Sequence, residues 1–470
     1  MPRAKKFVLA VYLFCALPVC LATLVLLPPG LAPDEPAHLA RAEGLLHGAV
    51  LAVRKTNIDP FTGKPELIVG IKVERDLQAV THAPDQVTLA DMAKLQAVPP
   101  DRGKFFDQIP NTARYFPIAY IPGTIGLAIG LALHLSPYLI FLLGRAGMMF
   151  AFLLLGGLAL WITAYGEVLL LAILISPMTL FLAGSFNEDA VIAAMTCLAC
   201  ALLTHPIPWR RYGALALLAG VMSAKLLYAP LLAAAAFPLN RPGIWQRLRE
   251  TGIAYLPVLL WAGIATAFVV VPFGVPPYHP GPLYLGDRSI WLDHTDPAMG
   301  LRIMLHPPTR LFLAFYETNK YYMRFFLRQF LEPIPVGALA ATPPTPYHWA
   351  WGIAYVSALF GLIFNPRPER AAPKIALLNF AGITALIVLT YWLLLIGLYM
   401  DWNFAGGGLL IFSFVGRYFL PFLPFFVLAI PAWRGKFLLP IWLPALPVLC
   451  VGIFDLGYLP VKLVTVYYLH

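Results

Sequence analysis

Apolar stretches of about 20 residues, the length a helix needs to cross a bilayer, recur from one end of this chain to the other. With 60% hydrophobic and only 12% charged residues, the chain has too few polar groups to clothe a soluble globule of its length. An all-α polytopic membrane protein is therefore expected. Residues 1–470 read as a single membrane domain whose first partner is the lipid bilayer, with no soluble part longer than a loop.

The run that follows Met1-Pro2-Arg3-Ala4-Lys5-Lys6, residues 7–27, is long enough to span and no small-x-small cleavage site follows it. It reads as an anchor rather than a signal peptide. Leu17-Pro18-Val19-Cys20 lacks the small residue expected before a lipidated cysteine. Cys15, Cys20, Cys197, Cys200 and Cys450 all lie in apolar segments, which argues against a disulfide framework and a zinc cluster. The net charge of +10 comes largely from Lys and Arg in short loops, where it sets orientation rather than binding nucleic acid.

Those loops carry Arg3/Lys5/Lys6, Arg210/Arg211, Arg241/Arg247/Arg249, Arg367/Arg370/Lys374 and Arg434/Lys436, and they mark the cytoplasmic side. Residues 28–115, mixed in charge, then form a first extracytoplasmic loop, and residues 272–347 a second. Residues 118–135 are apolar, but a full crossing there would carry Arg210/Arg211 outside, so they read as a helix at the outer interface. Full crossings are expected at 7–27, 138–162, 168–184, 190–203, 253–271, 348–364, 375–398, 409–430 and 437–454. Between Arg211 and Arg241 the chain has only about 28 residues to go up and back, where a full hairpin needs about 40. Two half-crossings meeting at Ser223-Ala224-Lys225-Leu226-Leu227-Tyr228-Ala229-Pro230 solve this and bring the total to about eleven. Broken backbone and a Lys at membrane depth are tolerated where they line a polar cavity, so this apex points to a site. No repeat of half the chain is visible, which weighs against an inverted-repeat transporter.

In this threading Asp34, Glu35, His38, Arg41, Glu188, Asp189, Lys225, Asp401 and Arg417 gather at the outer face. A preference of acids for the outside, and snorkelling of Arg, would account for Asp401 and Arg417 without any chemistry. The sharpest local motif is Ala32-Pro33-Asp34-Glu35-Pro36-Ala37-His38-Leu39-Ala40-Arg41. Asp34 or Glu35 can cap a helix started by Pro36, and a cap alone would explain both acids. Helical spacing also sets His38 and Arg41 on the face of Asp34. A helix N-terminus favours the ionised carboxylate, the form that takes a proton from an attacking hydroxyl or holds a divalent cation.

The Pro33–His38 motif with Arg41, Ser185-x-Asn187-x-Asp189, Ala224-Lys225 with Tyr228-x-Pro230, and Gly416-Arg417-Tyr418-Phe419-Leu420-Pro421-x-Leu423-Pro424 together resemble a bacterial multi-pass membrane family of unknown function. That family looks like the GT-C glycosyltransferases, whose hallmark is an acidic motif in the first outer loop. The resemblance spans about residues 30–430 and is most specific at its two ends. It implies a GT-C-like bundle in the bacterial cytoplasmic membrane that transfers a sugar from a polyprenyl-phosphate donor to a glycan or lipid acceptor of the envelope, at the outer face. It further implies an Asp of the first loop as base and basic residues on the phosphate. The chain departs from the family pattern at Leu39, where an aromatic residue is more typical, and at Glu188, where a less acidic one is. Both departures bear on acceptor binding.

On this reading Asp34 is the base, with Glu35 or His38 to orient it. Lys225 and Arg417 stabilise charge growing on the phosphate, since charge-assisted contacts are strong in a site of low dielectric. Arg41, Asn187, Asp189, Tyr228 and Tyr418 complete the expected substrate contacts. Asp34 and Asp189 are also the candidate ligands should Mg or Mn take part. Trp291, Asp293, His294, Asp296, Tyr316, Asn319, Lys320, Tyr321, Tyr322 and Arg324 have the mix of rings and donors that stacks on sugars, as well as that of an interfacial belt. An envelope-polymer polymerase or ligase, and a lipid-linked-sugar flippase, are the competing classes. The threading itself is tested by reporter fusions: a reporter near Gln78 or Trp291 should be active outside the membrane and one near Gln246 or Glu369 inside. An external signal at Gln246 would remove the half-crossings at Lys225.

Overall fold

The computed structural model describes residues 2–58, 65–239, 241, 243–270, 297–331, 345–364, 371–402, 409–411, 414–432 and 438–469. In chain order its elements begin with α1 (Pro2–Leu26), α2 (Glu35–Leu46), β1 (Val53–Ile58), β2 (Pro65–Glu74), α3 (Arg75–Val80), α4 (Leu89–Gln96) and β3 (Lys104–Gln108). A 3-10 turn (Pro117–Tyr120) then leads into α5 (Ile121–Ala132) and α6 (Pro137–Ile162). The middle of the chain forms α7 (Glu167–Leu174), α8 (Pro177–Ala183), α9 (Asp189–Leu203), α10 (Pro208–Ala224), a 3-10 segment (Leu226–Ala236) and α11 (Ile244–Phe268). It closes with α12 (Pro297–Leu305), α13 (Thr309–Leu331), α14 (Thr345–Phe364), α15 (Pro373–Trp402), α16 (Phe426–Ala429) and α17 (Trp442–Tyr468).

Among the described residues, α1, α6, α11, α14, α15 and α17 are the six helices long and apolar enough to cross a membrane, against the eleven or so crossings expected. The difference lies in shorter apolar pieces. The stretch 168–184 is cut into α7 and α8, because Pro177 has no N–H to continue the first helix and suits the first turn of the second. The stretch 409–430 is broken into 3-10 turns at Gly416–Phe419 and Leu423–Phe425 before α16, with Pro421 and Pro424 removing two further donors. At twelve residues, or about 18 Å, α5 is too short to cross alone. The final helix runs well past the expected end, to Tyr468.

Every residue of α9 is buried, as a helix apolar on all sides must be if it is to shed water and lipid alike. It is packed by α6, α8, α10 and α16. The outer helices turn Phe14, Leu17, Leu21 and Val25 of α1, and Leu256, Leu259, Leu260 and Phe268 of α11, outward as a lipid-facing belt.

The first loop departs from the all-α expectation. Leu67, Val69, Ile71 and Val73 alternate along β2, which pairs antiparallel with both β1 and β3 (Val53 opposite Gly70, Ile71 opposite Asp107) in a three-stranded sheet. Helix α2 lies on this sheet through a small core of Ala40, Val69, Ile71 and Val73. The loop is thus a folded cap that holds the Asp34 motif. Of the second loop, residues 297–331 form α12 and α13, while Trp291, Asp293, His294 and Asp296 lie outside the described residues, as do Arg367, Arg370, Arg434 and Lys436.

Helices α5 and α6 touch through glycines: a Cβ on Gly126 would stand 2.0 Å from the Leu143 carbonyl oxygen, and one on Gly147 2.2 Å from that of Pro122. Small residues let membrane helices approach this closely. Gly126→Val should therefore lower stability in detergent by about 1–3 kcal/mol, whereas Gly263→Ala, where a methyl meets nothing within 4 Å, should be neutral or stabilising. Thermal unfolding of the two variants beside the parent checks this.

Candidate functional site

The site begins with the turn between α1 and α2. Asp34 occupies the N-cap position with φ 57°, a left-handed conformation unusual for a residue other than glycine, and its carboxylate makes no capping hydrogen bond. The cap expected of it is not formed. Glu35, the next residue, is wholly buried and bonded on both oxygens. Arg145 Nε and Nη2 reach it at 2.8 and 2.7 Å, and the backbone N–H groups of Phe186 and Gly30 donate to it at 2.7 and 2.8 Å. Arg145, in the middle of α6, also donates to the Leu24 and Leu27 carbonyls, which the end of α1 would otherwise leave open. Glu35 is thereby turned away from Asp34.

Asp34 instead faces a cavity of about 480 Å3, within the size range of small-molecule sites. It is lined by the polar side chains of Asp34, His38, Arg114, Lys225 and Arg417 with Asn111, Tyr115, Tyr228 and Tyr418, and by the aliphatic ones of Leu226, Leu227, Val270, Leu394 and Leu398. Asp34 sits deep among protein atoms yet keeps 41% of its side chain accessible. Burial works to raise its pKa, but the charges of Arg417, His38 and Lys225 outweigh it and hold the carboxyl below its ordinary value. Arg417 Nη2 is 2.6 Å from Asp34 Oδ2, and Asn111 donates to the other oxygen at 3.3 Å.

Around these residues the charges interlock. Arg417 Nε is 3.3 Å from Asp189 Oδ2, Lys225 Nζ is 3.1 Å from Asp189 Oδ1, and Lys225 Nζ is 2.7 Å from Glu188 Oε1. Lys225 stands at the break between α10 and the 3-10 segment, as the apex reading expects, and also lies over the Tyr115 ring. The guanidinium of Arg417 thus bridges Asp34 and Asp189, the two candidate ligands for Mg or Mn.

The other expected residues support the cavity rather than line it, except His38, Tyr228 and Tyr418. Burial lowers the His38 pKa against the pull of Glu188, Asp34 and Asp189, and its Nδ1 lies 2.7 Å from the Tyr120 hydroxyl. Tyr228 donates to the Tyr418 carbonyl at 2.9 Å. Arg41 is buried and donates to the carbonyls of Ala49, Val50 and Tyr115, which fixes the Tyr115 wall. Asn187 donates to the Pro33 carbonyl and accepts from Asp189 N, tying the Asp34 turn to the start of α9. Tyr316, Asn319, Lys320, Tyr321, Tyr322 and Arg324 fall on α13 and none of them lines the cavity. The side chain of Asp401 lies outside the described residues. Sequence reasoning missed Asn111, Arg114, Tyr115, Tyr120 and Arg145. Of these Arg145 alone left a signal, as a lone charge inside an apolar run.

At the far end of α9 Arg241 donates to the carbonyls of Leu203, Thr204 and His205, and Arg211 pairs with Glu250 at 2.7 Å. The fifteen residues of α9 separate this basic cluster from Asp189 by about 22 Å.

Residues 17–426 match a family described as predicted membrane protein (DUF2142). No curated protein and no solved structure gives a significant match.

The two neighbouring acids should part company on substitution. Glu35→Gln leaves Arg145 buried without its counter-charge and should cost about 3–5 kcal/mol, seen as lost yield or a large fall in Tm. Asp34→Asn suits the left-handed turn and should cost about 1 kcal/mol or less. Equal stability of the two variants would contradict the division of roles.

Proposed function

We propose, on the premise that the chain belongs to the DUF2142 family of membrane proteins, that it is a GT-C-like glycosyltransferase using a polyprenyl-phosphate sugar, with its site facing the outside of a bacterial cytoplasmic membrane. The observation that carries this reading is the mixed character of the cavity. A carboxylate open to the cavity, the cations Arg417 and Lys225, and aliphatic side chains line the same space. A lipid phosphate needs both surfaces at once: cations for its head and apolar contacts for its chain. The separation of the acidic and basic ends of α9 supports the orientation, since Lys and Arg favour the cytoplasmic side.

The reaction is a single displacement. Asp34 takes the proton of an acceptor hydroxyl, its oxygen bonds to the anomeric carbon with inversion, and the bond to the phosphate oxygen breaks with its electron pair, releasing polyprenyl phosphate. Arg417 and Lys225 stabilise that oxygen. In the resting site Arg417 holds Asp34 at a low pKa, which makes it a weak base. A phosphate that draws the guanidinium away raises the basicity of Asp34 as the donor arrives. Asn111 then keeps the carboxylate aimed, and Asp189 with Glu188 holds Lys225 in place.

Purified protein in detergent, given a panel of polyprenyl-phosphate sugars with candidate acceptors, should release free carrier phosphate with one of them. Asp34→Asn should lower turnover by about 10²–10⁴-fold while donor affinity holds or rises, since the carboxylate no longer competes with the phosphate for Arg417. Arg417→Gln should weaken donor binding by about tenfold or more. Near-parental turnover in Asp34→Asn with a verified donor and acceptor would overturn the assignment.

A further inference from the structure

A second cluster of chemistry-bearing side chains lies at the other end of α2, nine residues along the chain from Asp34 to Glu43, or about 14 Å along a helix. Glu43 and His47 are four residues apart and share one face. Glu74, at the end of β2, meets them from the sheet. His47 Nε2 lies 3.3 Å from Glu74 Oε1 and 3.9 Å from Glu43 Oε1, and one donor atom from each residue falls within 4.8 Å of the others. In a tetrahedral zinc site with bonds of about 2.0–2.1 Å the donor atoms stand roughly 3.3 Å apart. Closure asks for shifts of up to about 1.5 Å among the three donor atoms, and His47, at 27% side-chain exposure, has the freedom to move.

The surrounding bonds favour a cation here. Glu43 is fully buried; its Oε1 accepts the backbone N–H of Glu74, and its Oε2 has no hydrogen-bond partner. The adjacent Gln78 interacts with Glu43 without a hydrogen bond of normal geometry, its Nε2 being unpartnered as well. A buried carboxylate oxygen left in that state is costly. Arg102 Nη1 holds Glu74 Oε2 and lies 3.8 Å from Asp76 Oδ2, which leaves Glu74 Oε1 turned toward His47 as an outer contact orients a metal ligand. The carboxyl groups of Glu43, Glu74 and Asp76 gather here against two cations, Arg102 and Lys104.

We propose that Glu43, His47 and Glu74 form a binding site for a divalent transition ion of the zinc class, with water as the remaining ligand. Two carboxylate oxygens and one imidazole nitrogen suit such an ion better than the all-oxygen shells of Ca or Mg. The ion would clamp the end of α2 to β2, and so brace from behind the helix whose first residues carry Asp34. The site stands or falls apart from the glycosyltransferase reading, because its readout is metal rather than turnover.

The test uses the untagged full chain in detergent, stripped with chelator and titrated with ZnCl2 by calorimetry, with CoCl2 as a spectroscopic stand-in. One equivalent should bind, the cobalt form should show the intense visible bands of a tetrahedral centre, and zinc should raise the Tm. His47→Ala removes a partly exposed side chain and should fold; it should lose the equivalent, the bands and the shift in Tm. Asp34→Asn should keep all three. Absence of a bound equivalent in the parent would overturn the proposal, and so would an equivalent that survives in His47→Ala or disappears in Asp34→Asn.

Discussion

The bidentate contact between Glu35 and Arg145 is what the site geometry depends on. Both side chains are fully buried, so each would carry a heavy desolvation cost alone, and each is instead bonded throughout its polar atoms. Through those bonds the end of α1, the start of α2, the middle of α6 and the turn before α9 are tied at one point. The orientation of Asp34 follows. With Glu35 drawn inward, its predecessor is forced into a left-handed turn that presents its carboxylate to the cavity instead of to the helix N-terminus.

A second constraint acts across the cavity wall. Asp34, Glu188 and Asp189 share Arg417 and Lys225, and each cation touches two carboxylates. Such a network is rigid while it is complete, and its most exposed member is Asp34. The group most easily released from it is thus the one assigned as base. This gives physical content to the proposed coupling between donor arrival and basicity, because an anion that competes for Arg417 alters Asp34 before any chemistry occurs.

Much of this was legible in the sequence. The Pro33–His38 motif, Lys225 at a helix break and Arg417 before two prolines pointed to one site, and the structure brings Asp34, His38, Lys225, Tyr228, Arg417 and Tyr418 to one cavity. Charge segregation at the two ends of α9 was legible for the same reason: ionised groups in an apolar chain have few places to go. What stayed hidden depended on contacts between distant segments. Helical spacing with His38 and Arg41 set Asp34 apart from Glu35, but the burial of Glu35 rests on partners that spacing does not reveal, Arg145 and the Phe186 N–H, each more than a hundred residues away. The sheet was hidden differently. Alternation at Leu67, Val69, Ile71 and Val73 is a strand signal, but it sits in a segment whose mixed charge reads as an irregular wet loop. Helix breaks at Pro177, Pro421 and Pro424 were likewise present in the sequence but masked by unbroken hydropathy.

The most direct measurement is a cryo-EM structure of the protein in nanodiscs with polyprenyl phosphate bound. The account predicts the phosphate within about 3 Å of Arg417 and Lys225, the chain along Leu226, Leu227, Leu394 and Leu398, and Asp34 parted from Arg417. A lipid phosphate bound elsewhere, with the contact between Asp34 and Arg417 intact, would contradict it.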